Sequence, residues 1–404
     1  MKNRSNIIYT FSGNLVVAFV KWLILIIIVR SSNPQDVGYY TFAIAITAPF
    51  ILFINMRLRL RFIVENLDFS VIKKLRSVLN IICIVVIFIV AYIFYSEYIY
   101  YILIIGFSKI LDLNSEVYYA VLHKKEKYKT ISQMMISKSI LIILAFSFSL
   151  FITKNVIISL IIQVVIQGMF LYIIERRSLK HLEFSNFKYP WKVYLNVFLI
   201  GLPLGFVQLL NSYNILIPRY IIEHKLTLDL VGIFASISYL LTIVDLFMNA
   251  ISQNIIIEIK NKVKTKSFED LENFLRKKVS LISITLGLIL IFMIHLFGTS
   301  VLVIVYGEQY EDYGYLLTIL SISFIFNFQS WIYDTTIMAF EAYRLQLISS
   351  IITLLVSIVI SYFLISNYGI AGASISIVII TLTQSLLKRI ILINMLKKEK
   401  RRSI

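Results

Sequence analysis

Apolar residues run through this chain in long blocks separated by short polar loops. Neither the period-two alternation of a half-buried strand nor the narrow stripe of a soluble helix organises them. Crossing a hydrocarbon layer as a helix takes about 20 residues. Twelve blocks are of roughly that length: 8–29, 38–56, 77–95, 98–122, 131–152, 156–174, 194–217, 230–256, 279–297, 315–337, 345–365 and 369–394. The pattern predicts an all-α polytopic membrane protein of about twelve transmembrane helices.

Two stretches share one grammar. An apolar run ends at Arg30, turns through 31–35 and restarts at Asp36-Val37-Gly38-Tyr39-Tyr40; another ends at Arg219 and restarts at Asp229-Leu230-Val231-Gly232, with Phe234 close behind. Gly38 and Gly232 stand about half the chain apart, which points to an internal duplication. The expected organisation is a helical bundle over 1–175, a basic connector over 176–192, a second bundle over 193–396 and a basic tail over 397–404. Within 260–278, Ser267-Phe268-Glu269-Asp270-Leu271-Glu272 reads as a capped amphipathic helix lying on the inner membrane surface.

Composition agrees with the blocks: of 404 residues 59% are hydrophobic and 15% charged, where soluble domains carry about 25% charge. A net charge of +17 would suit a nucleic-acid binder, but its placement argues otherwise. Of the 39 Lys and Arg, the predicted outer loops hold only Arg30, Lys154, Arg219 and Lys225; Lys21, Lys109 and Lys138 fall within spans, and Lys388 and Arg389 lie toward the inner end of the last one. The rest gather on the side that a cytoplasmic N-terminus makes internal, so both ends are expected inside. The lone Cys83 sits in an apolar run and is expected to be a buried thiol.

Polar groups inside the spans supply the candidate chemistry. Lys109, Asp112 and Glu116 recur at i, i+3 and i+7, on one face of the fourth span. Each such charge costs about 2.5–3.5 kcal/mol near the bilayer centre, so the face must point into the bundle. Two readings stand: a Lys109–Asp112 ion pair that locks helices, or a charged wall of a hydrated cavity with Glu116 left titratable. Arg57 and Arg61 are either positive-inside anchors or the mouth of that cavity. Lys21 lies too deep in span one for easy snorkelling. Polar stripes follow on other spans: Ser159, Gln163 and Gln167; Gln208, Asn211 and Asn214 after a bend at Gly201, Pro203 and Gly205; Thr242, Asp245, Asn249 and Gln253; Asn327, Ser330 and Asp334; Thr381, Gln384, Ser385 and Lys388. One Gln or Ser in a membrane helix usually bonds a neighbouring helix, at about 0.6 kcal/mol; stripes on many helices argue for a shared polar interior.

No phosphate-binding glycine loop occurs, and the four His (His123, His181, His224, His295) are too scattered for a metal site. The outer loops are too short for a membrane polymerase or transferase, so neither catalysis nor a cofactor is expected.

These residues resemble the Wzx-type polysaccharide flippases of the multidrug/oligosaccharidyl-lipid/polysaccharide exporter superfamily. The likeness is carried by Asp36-Val37-Gly38-Tyr39-Tyr40, the Arg-rich exit of span two and Gly201-Leu202-Pro203. It continues through Leu230-Val231-Gly232-Ile233-Phe234-Ala235 and Asn367-Tyr368-Gly369-Ile370-Ala371-Gly372-Ala373. The resemblance implies two six-helix bundles around a cationic cavity, in the MATE-like arrangement of that superfamily. The cavity would pass an undecaprenyl-pyrophosphate-linked oligosaccharide across the bacterial cytoplasmic membrane by alternating access.

A pyrophosphate cannot cross hydrocarbon bare, and Lys21, Arg30, Arg57, Lys109 and Arg219 are placed to neutralise it. Asp112, Glu116, Asp245 and Asp334 are the charge-pair or coupling candidates, with a proton gradient, a sodium gradient and the membrane potential all open as the driving force. Gln163, Gln208, Asn211 and Asn249 would contact sugar. The expected partners are the lipid-linked substrate, membrane lipids, a polysaccharide polymerase and glycosyltransferases, and no nucleic acid. A drug or metabolite exporter of the same superfamily is the alternative, built on Asp245 and Asp334.

Overall fold

A computed structural model describes residues 2–64, 67–179, 189–240, 259, 262–263, 265, 267–340 and 342–403. Among these the regular structure is helical throughout, with no strand. The helices are α1 (Lys2–Ser31), α2 (Pro34–Asn55), α3 (Leu58–Val64), α4 (Phe69–Phe94), α5 (Ile99–Lys124), α6 (Tyr128–Thr153), α7 (Val156–Phe170) and α8 (Trp191–Lys225). They continue as α9 (Leu228–Leu240), α10 (Phe268–Asn273), α11 (Ser280–Tyr306), α12 (Gly314–Ala339) and α13 (Tyr343–Ser403).

Polar residues at loop ends start these helices. Asn33 Oδ1 accepts from the Asp36 amide at 2.7 Å and Pro34 occupies the first turn of α2, while Asp68 and Asn155 cap α4 and α7. Thr227 Oγ1 accepts from the Leu230 amide ahead of Gly232, as Asn33 does ahead of Gly38. The two stretches that share a sequence grammar thus share a capped entry. α2 ends where Met56 and Arg57 both adopt left-handed backbone. Buried Arg76 donates there to the carbonyls of Ile54 and Asn55, at 3.0 and 3.3 Å, closing the helix with a cation.

Nine helices among the described residues are long and apolar enough to cross a membrane, so the chain is a multi-pass membrane protein. α5 is equally long, but its charged residues set it apart. α13 is two helices joined at Gly369, whose φ of 56° and ψ of −137° are non-helical. The exposed side chains fit lipid: α4 turns Ile81, Val85, Phe88, Ile89 and Tyr92 outward, a patch that water would not tolerate. Inward, α13 buries Ser349, Thr353, Ser357 and Ser361, small polar residues that let helices approach closely.

One local expectation is corrected. The segment 267–272 does not form a separate capped surface helix. Ser267 makes no side-chain cap bond, and α10 runs through a π-helical turn, Phe274–Val279, straight into α11. Phe268, Leu271 and Phe274 bury against Phe324, Phe328, Ile332 and Leu396, which draws the segment into a core.

The chain divides into two compact units, Met1–Ser212 and Tyr213–Ile404, with the division inside α8. In the first, α1 packs on α6, α6 on α7, and α5 on α2, α4 and α7. The first half of α8 belongs to this unit: Arg61 Nη1 donates to Val197 O at 2.9 Å, and Gly205 lies close to the Phe53 carbonyl. In the second unit α12 packs against both α11 and α13.

Candidate functional site

A cavity of about 190 Å³ opens inside the first unit among α1, α3, α5, α6 and α7. Val17, Val20, Ile24, Met135 and Ile142 give it apolar walls, and its polar lining includes Lys21, Arg59, Asp112, Glu116, Lys138 and Gln163. α5 supplies the carboxylates because Asp112 and Glu116 lie one turn apart on one face of the helix. α1 and α6 flank that face and bring the ammonium groups.

Asp112 bridges two of them. Its Oδ2 lies 3.3 Å from Lys21 Nζ and its Oδ1 lies 3.3 Å from Lys138 Nζ. Lys138 also donates to Ser115 Oγ at 2.8 Å and stands 3.7 Å from Glu175 Oε1. Glu175 is wholly buried and accepts from the Tyr119 hydroxyl at 2.6 Å. A chain of alternating charge therefore runs from Lys21 through Asp112 and Lys138 to Glu175. Around it Ser108 donates to Gln167 Oε1 at 2.7 Å. Arg59 stands over the Tyr119 ring, 5.9 Å from its centroid. Burial pulls the Arg59 guanidinium below its ordinary value, and the facing charge of Glu116 opposes that shift.

The predicted residues separate into groups. Lys21, Asp112, Glu116 and Gln163 meet at the cavity. Lys109 points elsewhere, donating to Ile44 O at 3.2 Å and Thr47 Oγ1 at 3.0 Å on α2. The expected Lys109–Asp112 lock is thus replaced: the counter-ions of Asp112 come from α1 and α6, because three residues along α5 is enough to face a different neighbour. Arg30 is exposed at the end of α1, and Arg57 is half-buried in the turn after α2. Of the arginines around α3, it is Arg59 that lines the cavity. Gln208 and Asn211 lie on α8, still within the first unit.

In the second unit, Arg219 is buried with its guanidinium 5.5 Å from the Tyr239 ring centroid. Asp334 pairs with buried Lys388 at 3.2 Å, and Lys388 also donates to Ser330. Asp245 and Asn249 lie outside the described residues.

Glu175 and Tyr119 escaped the sequence reading. Glu175 stands just before Arg176 and Arg177 and reads as the start of a polar connector. A π-helical turn, Leu171–Glu175, extends α7 and turns the carboxylate inward. No group of His, Cys, Asp and Glu among the described residues could hold a metal ion.

No protein-family model matches the chain. An inward-facing structure of a multidrug resistance MATE family transporter of the MOP superfamily superposes with a TM-score of 0.73, covering 99% of this chain and 96% of that one at 13% identity. The lipid II flippase MurJ, in an inward closed conformation, gives 0.72 over 95% of this chain and 86% of that one at 15% identity. Such low identities speak for the fold alone, that of MOP-superfamily transporters. The capsular polysaccharide biosynthesis protein CapF of Staphylococcus aureus is 30% identical over 380 residues, 93% of this chain and 95% of that protein. On that likeness the chain belongs to the family of the capsular polysaccharide biosynthesis protein CapF, and it has the MOP-transporter fold.

Proposed function

We propose that the protein carries a lipid-linked oligosaccharide, joined to undecaprenyl by pyrophosphate, across a bacterial cytoplasmic membrane by alternating access. Twelve crossings in two six-helix halves, both termini cytoplasmic, would serve it. The observation that carries this reading is the intramembrane pair Lys21 and Lys138 facing a cavity, in a chain related along its length to a capsule-biosynthesis protein. Each buried charge costs a few kcal/mol on insertion, and an anionic headgroup is a cargo that needs such cations. Sugars would meet Gln163, Gln208 and Asn211, and the lipid tail would stay in the bilayer. A polymerase and glycosyltransferases would act on either side of the step.

The test is in cells dependent on this gene for surface polysaccharide. Lys21→Ala and Arg219→Ala should abolish surface glycan and accumulate lipid-linked repeat units on the cytoplasmic leaflet, at unchanged protein level. Normal glycan in both strains would overturn the reading. The fold also suits an exporter of organic cations. That function requires efflux to fail in Asp334→Asn while glycan is untouched, and the pairing of Asp334 with Lys388 leaves this carboxylate already neutralised.

A further inference from the structure

We propose that Asp112 is a resident counter-ion occupying the place of the substrate's diphosphate, and that Lys21 and Lys138 are the cations that exchange one for the other. The proposal rests on the lipid-linked glycan reading and adds the groups that would meet the anion. Three features of the geometry carry it.

The first is the bridge. Each oxygen of Asp112 takes one ammonium group, from two different helices, at 3.3 Å. Two oxygens spanning two point cations is an arrangement that phosphate oxygens can reproduce. The bonds are also loose: a charge-assisted N–H···O contact settles at about 2.7–2.9 Å. A carboxylate held this way can be displaced without breaking an optimised pair.

The second feature is the asymmetry of the cations. The Lys138 side chain is 7% exposed and fixed by Ser115 and Glu175, so it stays when Asp112 leaves. The Lys21 side chain is 61% exposed at the cavity mouth and has room to turn toward an arriving anion. Glu175 keeps Lys138 oriented in both states. Glu116, the second carboxylate of the cavity, feels the charges of Arg76 and Arg59 more strongly than that of Lys21.

The third is size. At about 190 Å³ the cavity falls below the ~300–1,000 Å³ that encloses drug-sized ligands. A diphosphate fits the space in this conformation, whereas a chain of sugars does not. Anion and carboxylate would then alternate: the diphosphate expels Asp112 on entry, and the return of Asp112 to both lysines favours release.

The experiment measures inorganic pyrophosphate binding by calorimetry to the purified full-length protein in nanodiscs of zwitterionic lipid. Wild type should bind weakly and Asp112→Asn at least tenfold more tightly, while adding Lys138→Met together with Glu175→Gln, which leaves no buried carboxylate facing a lost ammonium, should remove the gain. Equal or weaker binding by Asp112→Asn overturns the proposal. Should that variant not fold, Lys21→Gln keeps the Asp112–Lys138 pair and should bind pyrophosphate at least tenfold more weakly than wild type; unchanged affinity overturns the proposal as well. The flippase reading fails separately. A protein with the expected affinities that leaves lipid-linked glycan on its original leaflet retains the anion site and loses the function, and one that moves glycan while Asp112→Asn gains no affinity loses the site alone.

Discussion

Lys138 stands between two carboxylates that have very different alternatives. Asp112 would keep Lys21 if Lys138 were lost, but Glu175, with no exposure, would keep only the Tyr119 hydroxyl among the described residues. An uncompensated buried charge costs about 3–5 kcal/mol. Lys138→Met should therefore destabilise strongly, and adding Glu175→Gln should recover about 0.5–3 kcal/mol of that loss. Unfolding of the four proteins of this cycle in lipid gives the coupling, and strictly additive costs would show that the two residues are not partners. Nothing local in the sequence marks this pair. Asp112 and Lys109 advertise themselves by spacing on one helix, whereas Lys138 and Glu175 meet through the packing of α6 and α7, which no spacing encodes.

At the scale of elements, the first half of α8 docks by close approach. A Cβ on Gly205 would lie 2.6 Å from the Phe53 carbonyl oxygen, a backbone atom that cannot swing aside. On Gly168 of α7 the nearest atom would be a Leu111 methyl at 4.0 Å. Gly205→Ala should cost about 1–3 kcal/mol through overpacking. Gly168→Ala should be neutral or stabilise by up to about 1 kcal/mol, since alanine is the better helix former. Thermal unfolding of the two variants tests the contrast, and equal effects would deny the close contact. The sequence announces Gly201, Pro203 and Gly205 as a bend or a packing kink in span seven. In the structure α8 is helical on both sides of Pro203, and Gly205 acts as a contact surface. Composition alone cannot separate these roles, because both need a residue without bulk. The segment 267–272 failed for a related reason: its amphipathic pattern is satisfied equally by a membrane surface and by the core that holds Phe268 and Leu271.

Over the whole molecule the membrane class was readable, because apolar runs of this length and loops this short leave few alternatives to crossing helices. Charge placement adds a direction that can be checked. Single cysteines introduced at Ser32, Glu97 and Ser366 in a Cys83→Ser background should react with an impermeant thiol reagent in intact cells, and one at Lys125 should not. Cys83 is itself buried, so the background change removes little reactivity. Labelling at position 125 from outside would reverse the assigned orientation.

The π-helical turn at Leu171–Glu175 has a consequence for how this region can vary. Each residue of an α-helix advances the next by about 100°, and the widened turn offsets that phase just before Glu175. Removing one residue between 171 and 174 would rotate the carboxylate by about that angle, away from Tyr119 and Lys138, although no charged group had been touched. The stretch is thus tolerant of exchange among apolar residues and intolerant of any change in their number, a length constraint written into the backbone.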